Sequence, residues 1–144
     1  MSASNCIFCK ILAKQIPSAP VYEDAYTLAF LDIAPFEKGH TLVIPKFHAE
    51  RLTDLPADWL LRLMPAVQQT AALLLQRLPC DGFNLLQSNG ACATQVVPHV
   101  HFHVVPRWNG HAMRWLPGQY DQPGEMQTLA ARLRGGELEN PKSE

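Results

Sequence analysis

The sequence predicts one α+β domain: a five-stranded antiparallel sheet with one long and one short helix. Short β-favouring segments are bounded by Pro, Gly or Asp. A single long segment repeats apolar residues at three- and four-residue steps. Three strands precede that segment and two follow it, an order that favours antiparallel pairing. At 144 residues the chain fits a single domain spanning residues 1–144, with its core in 6–107 and a tail in 108–144.

The elements follow in chain order. A short helix is expected over residues 8–14. Residues 21–23 and 27–31 read as two strands around an Asp24-Ala25 turn, and residues 40–44 as a third, stopped by Pro45. Between the second and third, Asp32 to Gly39 is a loop punctuated by Pro35 and Gly39. Thr53 or Asp54 is placed to cap the long helix, and Pro56 suits its first turn. Its stripe is Leu60, Leu63, Val67, Ala71, Leu74 and Leu78, and Pro65 should kink or restart it. Residues 82–87 form the fourth strand and 99–105 the fifth. Trp108, Trp115, Pro117, Gly118 and Tyr120 form an aromatic segment without periodicity, residues 130–133 end a short helix, and 135–144 are charged and expected to fray.

The fifth strand carries the chemistry. His99, His101 and His103 alternate with Val100, Phe102 and Val104. A period of two puts the three imidazoles on one face and the apolar residues on the other. Residues two apart on a strand are roughly 6.6 Å apart and residues four apart roughly 13 Å. A metal–nitrogen bond of about 2.0–2.1 Å therefore suits two neighbouring histidines better than three. A division of labour is the easier arrangement: one His to a metal, one as nucleophile or base, one to a phosphate or leaving group.

Cys6 and Cys9 have the Cys-x2-Cys spacing of a zinc knuckle. Two further ligands are needed, and the candidates are His48 and His99. Such a site is closed and structural, tying the N-terminus to the sheet. The competing assignment is two core cysteines and a surface histidine. Cys80 and Cys92 have no metal pattern and read as small core or surface residues. Net charge is −1, with no basic stripe, which argues against a nucleic-acid polymer as partner. No apolar run approaches the roughly 20 residues of a membrane span, and the N-terminus lacks signal-peptide character, so a cytoplasmic location is expected.

The run from His99 to Val105 resembles the histidine-triad (HIT) nucleotide-binding family, whose motif is His-φ-His-φ-His-φ-φ with φ apolar. Asn89-Gly90 and Gln95 fall where the family has an Asn-Gly turn and a Gln. Three N-terminal blocks also look like family blocks in family order: Cys6-Ile7-Phe8-Cys9-Lys10-Ile11, Ala29-Phe30-Leu31-Asp32-Ile33, and the run from Lys38-Gly39-His40 to Pro45-Lys46.

The resemblance implies a HIT fold that dimerises into a ten-stranded sheet, with the long helix over 56–78 as the candidate patch. It implies a hydrolase acting on purine nucleoside 5′-phosphoramidates or acyl-adenylates. His101 would be the nucleophile, with His103 and His40 flanking the phosphate as donors. Asp32 would hold the ribose, Asn89-Gly90 and the backbone near Gln95 would supply donors, and Phe8, Ile7, Phe30, Leu31 and Ile33 are candidates for the base slot. In relatives with the N-terminal cysteines, zinc takes the Cys6, Cys9, His48, His99 arrangement. Alternatives are dinucleoside polyphosphate hydrolysis, or a nucleotide-binding or scaffolding protein with little turnover. The C-terminal segment either reaches a partner's active site or packs on its own sheet. Three positions depart from the pattern: Thr94 replaces a Gly, Val96 replaces a Ser or Thr, and Ser88 stands where many relatives have Asn.

Overall fold

The computed structural model describes residues 3–135. One antiparallel sheet has the strand order β1–β2–β3–β5–β4, with β1 Pro20–Glu23, β2 Thr27–Leu31, β3 Thr41–Pro45, β4 Gly82–Leu86 and β5 Phe102–Arg107. Three α-helices accompany it: α1 Ile7–Leu12, α2 Ala57–Arg77 and α3 Glu125–Leu133. The Asp24 carboxylate accepts the N–H groups of Tyr26 and Thr27, both at 2.8 Å, and so builds the turn between β1 and β2.

β2 and β3 are buried along their whole length, with one layer on each face. On one face Ala29, Leu31, Val43, Val100 and Val104 meet Leu63, Val67, Ala71 and Leu74 of α2. On the other, Leu28, Phe30, Leu42 and Ile44 meet Cys6 and Phe8. This second, thinner layer is where the histidines emerge.

Several boundaries differ from the sequence reading. α2 starts after Pro56, whose carbonyl accepts from the Trp59 and Leu60 N–H groups. Thr53 and Asp54 do not cap it; they lie in a single tight turn, Leu52–Asp54, where the Asp54 carboxylate accepts from the Arg51 N–H. Pro65 does not restart the helix, which runs on through it. The N–H lost there would have bonded the carbonyl of Leu61, a residue 75% exposed on the solvent side. Pro45 ends β3 from within, opposite Thr27. β5 begins at Phe102, so His99 and His101 precede the hydrogen-bonded ladder. α3 ends at Leu133 as the sequence indicates, and its Ala130 and Leu133 join the main core, so the core extends past residue 107. The charged end lies outside the described residues beyond Gly135.

Gly39 fixes the entry to β3. At φ +104° it adopts a conformation L residues rarely take, and a Cβ there would sit 2.8 Å from Leu78 Cδ1. The aromatic segment packs on its own chain: Gly118 donates to the Pro35 carbonyl at 2.8 Å, and the Gly39 N–H donates to the Tyr120 hydroxyl at 3.2 Å. At the far side, edge strand β4 and α2 leave a groove of about 590 Å³ lined by Met64, Ala71, Leu75, Phe83 and Leu85. None of the helices among the described residues is long and apolar enough to cross a membrane.

Leu74 is fully buried between α2 and the sheet. Leu74→Ala is expected to cost about 2–5 kcal/mol in denaturant unfolding, whereas Leu61→Ala should change stability by less than about 0.5 kcal/mol. Equal effects would contradict the assigned helix faces.

Candidate active site and metal centre

The alternation of the histidine run survives although the ladder does not. Val100 and Val104 point into the α2 layer, and the imidazoles point to the other face. The run leaves the ladder because residues 48–50 draw it aside: the Val100 N–H donates to the Ala49 carbonyl at 2.7 Å. Off the ladder, His99 and His101 both lie against Phe8 of α1, and His103 meets His40 and Phe36 at the loop before β3.

His99 Nε2–H donates to the Pro45 carbonyl at 3.0 Å, which leaves Nδ1 as the lone-pair nitrogen. That atom lies 3.3 Å from Cys6 Sγ, 3.6 Å from Cys9 Sγ and 3.3 Å from His48 Nδ1. Cys9 Sγ is 3.4 Å from His48 Nδ1. Tetrahedral zinc, with bonds of about 2.3 Å to sulfur and 2.05 Å to nitrogen, requires edges of about 3.6 Å for S···N and 3.3 Å for N···N. The S···N separations of 3.3, 3.4 and 3.6 Å and the N···N separation of 3.3 Å match those edges, and all four atoms lie within 4.8 Å of one another, so they fit such an ion. Cys6 also holds the start of α1, where its Sγ accepts from the Cys9 N–H. Burial and the neighbouring Cys6 push the Cys9 thiol up to about 11. A coordinated dication reverses that preference and takes the thiolate.

His101 Nδ1 is 2.7 Å from the His99 carbonyl. A carbonyl only accepts, so Nδ1 carries the proton and Nε2 is bare. Burial lowers the His101 pKa, which favours the neutral ring. Phe8 packs edge-on against it at 5.2 Å, and against His99 at 5.8 Å.

His40 and His103 form a second directed pair. The Phe36 N–H donates to His40 Nδ1 at 3.0 Å, so the His40 proton sits on Nε2. Nε2 is 2.8 Å from His103 Nδ1 and donates to it, which places the His103 proton on its outer nitrogen. Asp32 Oδ2 stands 3.6 Å from His40 Nε2, while its Oδ1 accepts from the Ala34 N–H. Asp32, His40 and His103 could also be grouped as metal ligands. The 2.8 Å separation is a hydrogen bond, shorter than a tetrahedral N···N edge, and we assign it so. His40 is fully buried with both nitrogens engaged. It stands one step behind His103, so the expectation that His40 itself donates to a phosphate does not fit this geometry.

The loop after β4 is braced from inside. Asn89 Oδ1 accepts from the Leu52 N–H at 2.7 Å. Gln95 Oε1 accepts from the Gly90 N–H, and its Nε2 donates to the Glu50 and Val97 carbonyls. The Gln95 amide thus shapes the loop and has no free donor for a ligand. Thr94 takes the left-handed conformation at φ 69°, which suits a Gly and strains a β-branched residue. Val96 is 88% exposed and offers no hydroxyl. Of the base-slot candidates, Phe30 and Leu31 are core and Phe8 underlies His101; Ile7 and Ile33 remain exposed. Sequence reasoning missed Phe36 and the carbonyls of Pro45 and His99. The one signal was the four-residue spacing from Phe36 to His40 across a Gly-containing turn.

Comparison with known proteins now identifies the group. The HIT domain family model matches residues 13–110. The chain belongs to the HIT family. An uncharacterized HIT-like protein of Methanocaldococcus jannaschii is 50% identical over 105 residues, covering 73% of this chain and 81% of that protein. Adenosine 5′-monophosphoramidase HNT1 of Saccharomyces cerevisiae is 40% identical over 139 residues, covering 92% and 85%. The crystal structure of a zinc-bound histidine triad family protein from Mycobacterium smegmatis superimposes with a TM-score of 0.83 at 34% identity, covering 99% of this chain and 100% of that one. The five-stranded antiparallel HIT sheet is thus shared along with the motif.

The directed histidines make stability depend on pH. Burial pushes His40 and His103 down to about 4, against about 6.5 in an unfolded chain. Between these values the unfolded chain binds more protons, so their contribution is complete above about pH 6.5 and is lost as pH falls toward 4. Melting temperature should drop between pH 7.5 and pH 5, less steeply in His103→Gln. An identical slope in the variant would contradict the assignment.

Proposed function

We propose that this HIT protein is a nucleotide hydrolase that cleaves purine nucleoside 5′-phosphoramidates or acyl-adenylates through a nucleotidyl-His101 intermediate. The observation that carries it is the His101 tautomer: Nδ1–H tied to the His99 carbonyl, Nε2 bare. The naming of 40%-identical HNT1 as an adenosine 5′-monophosphoramidase supports the substrate class.

The Nε2 lone pair attacks phosphorus, the bond from phosphorus to the leaving nitrogen or acyl oxygen breaks, and the leaving group takes its proton from solvent. His101 becomes a nucleotidyl-imidazolium whose Nδ1–H remains held by the His99 carbonyl, a dipole oriented to favour the positive charge. His103, with its proton on the outer nitrogen, donates to the phosphoryl oxygens. Water then attacks phosphorus, the N–P bond breaks with its electron pair returning to Nε2, and the water's proton passes to solvent, releasing the nucleoside monophosphate and restoring neutral His101. Asp32 is assigned to the ribose hydroxyls, exposed Ile33 to the base, and the backbone of the loop braced by Asn89 and Gln95 to the phosphate. A binding protein with low turnover is the second reading. It is favoured by Val96, which supplies no hydroxyl to the leaving group, and by strained Thr94.

Cys6, Cys9, His48 and His99 would hold one zinc ion, whose chemistry is structural: it fixes thiolates and imidazoles at the base of the triad. A cytoplasmic location is our assignment, since reducing conditions keep these cysteines as thiols. The groove beside edge strand β4, together with α2, is our candidate face for a homodimer.

His101→Ala should retain fold and nucleotide binding but lose several orders of magnitude in turnover of adenosine phosphoramidate. Acid quench with intact mass analysis should show an adduct on wild type alone, and activity within a few-fold of wild type would sink the assignment. Protein purified without chelator should contain near-stoichiometric zinc, and Cys9→Ala should lower both zinc content and melting temperature; metal-free protein of unchanged stability would refute the centre. Light scattering at micromolar concentration should return a dimer mass, converted to monomer by Leu85→Glu, and a monomeric wild type would reject the proposed face.

A further inference from the structure

β5 carries one more charged side chain on the triad's face. Arg107 follows His103 and Val105 at two-residue steps and so points the same way. Its Nε donates to Asn84 Oδ1 on β4 at 2.8 Å. This bond holds the side edge of the guanidinium and leaves its end edge, Nη1 and Nη2, turned away from Asn84. Both Nη atoms are buried, and among the described residues neither has a hydrogen-bond partner.

Trp115 lies against the guanidinium, its ring centre 4.6 Å from Arg107 Cζ. Trp115 meets Phe36 edge-on at 6.0 Å, and Phe36 lies parallel to His103 at 6.3 Å. Two aromatic rings therefore connect the Arg107 fork to the phosphate-facing histidine. Trp115 itself is 44% exposed. It rides on a strap tied at one end by the His111 N–H to the Trp108 carbonyl and at the other by the Gly118 N–H to the Pro35 carbonyl.

A guanidinium is charged at every accessible pH, and an indole face satisfies its charge without accepting its N–H bonds. Burying such donors unpaired is costly. The group that pairs both Nη atoms at once is a bidentate oxyanion. We infer that Arg107, with Trp115 against it, forms an oxyanion subsite that holds a carboxylate or phosphate carried by the leaving group.

This rests on the hydrolase reading for the word "leaving". The Cα atoms of His103 and Arg107 are about 13 Å apart along the strand, a span that an Arg side chain and a short-chain amino acid fill together. Trp115 moves aside or stacks on the ligand as it binds. The subsite selects phosphoramidates whose amine bears an acid on a short chain.

The test uses three AMP phosphoramidates: that of γ-aminobutyrate, that of its uncharged isostere γ-aminobutyramide, and that of aminopropylphosphonate. Calorimetry on the His101→Ala protein, which does not consume them, gives each Kd. With Arg107 intact, an anionic ligand should bind about tenfold tighter than the amide. In Arg107→Met all three should bind within about twofold of one another; Arg107→Gln replaces it if the Met variant does not fold. Whichever of carboxylate and phosphonate binds tighter names the anion. Equal affinity for acid and amide with Arg107 present, or a preference that survives its loss, overturns the subsite. Charge-dependent binding without turnover in wild type would overturn the hydrolase reading and leave the subsite standing. Turnover with no charge preference would do the reverse.

Discussion

The hydrogen bond from His101 Nδ1–H to the His99 carbonyl is the interaction on which the rest depends. It joins two sites that share one residue. The His99 side chain faces the Cys6, Cys9 and His48 side chains, and its main chain faces His101. Whatever fixes the ring of His99 also fixes its carbonyl, and that carbonyl decides which nitrogen of His101 carries the proton. The Pro45 carbonyl performs the same service for His99 from the end of β3. The sheet thus orients each ring through the backbone acceptor that it presents.

Buried imidazoles are affordable only when neutral and paired. His40, His99 and His101 are all buried, and each has a backbone group on one nitrogen: the Phe36 N–H, the Pro45 carbonyl and the His99 carbonyl. These three bonds remove tautomeric freedom from the cluster. His40 then passes its direction to His103. In the second layer of the fold, Phe8 of α1 packs edge-on against Phe30, His99 and His101 and covers one side of those two histidine rings. The loop from Asp32 to Gly39 is held in turn by Gly118 and Tyr120 and by an ion pair of Lys38 with Glu125. The C-terminal segment therefore belongs to the site's support.

Much of this was legible in the sequence because it is written in periods. Alternation in 99–105 placed the imidazoles on one face, and the stripe from Leu63 to Leu74 placed α2 on the other. Cys-x2-Cys pointed to Cys6 and Cys9, with His48 and His99 as the candidates to join them, and the fold brings these four side chains together. What was not legible is carried by main-chain groups. No side-chain pattern announces that residues 48–50 pull His99 and His101 off the ladder, or that the Phe36 N–H sets the tautomer of His40. Thr53 and Asp54 look like caps because their side chains suit that role, yet the chain between β3 and α2 makes an extra turn first. Pro45 ends β3 as it reads, whereas Pro65 reads as a break and is tolerated on the exposed side of α2, where its missing donor is not needed. Arg107 gave no signal at all, since its role follows from Asn84 and Trp115, which are distant in sequence.

The central claim is that His101 is held as the Nδ1–H tautomer by the His99 carbonyl. Nitrogen-15 NMR of selectively labelled histidine, with His101 assigned by comparison with His101→Ala, reads this directly. At pH 7.5 the account predicts a protonated Nδ1 and a bare, lone-pair Nε2 on His101. A proton on Nε2 instead, an imidazolium, or a rapidly exchanging mixture of tautomers would contradict it.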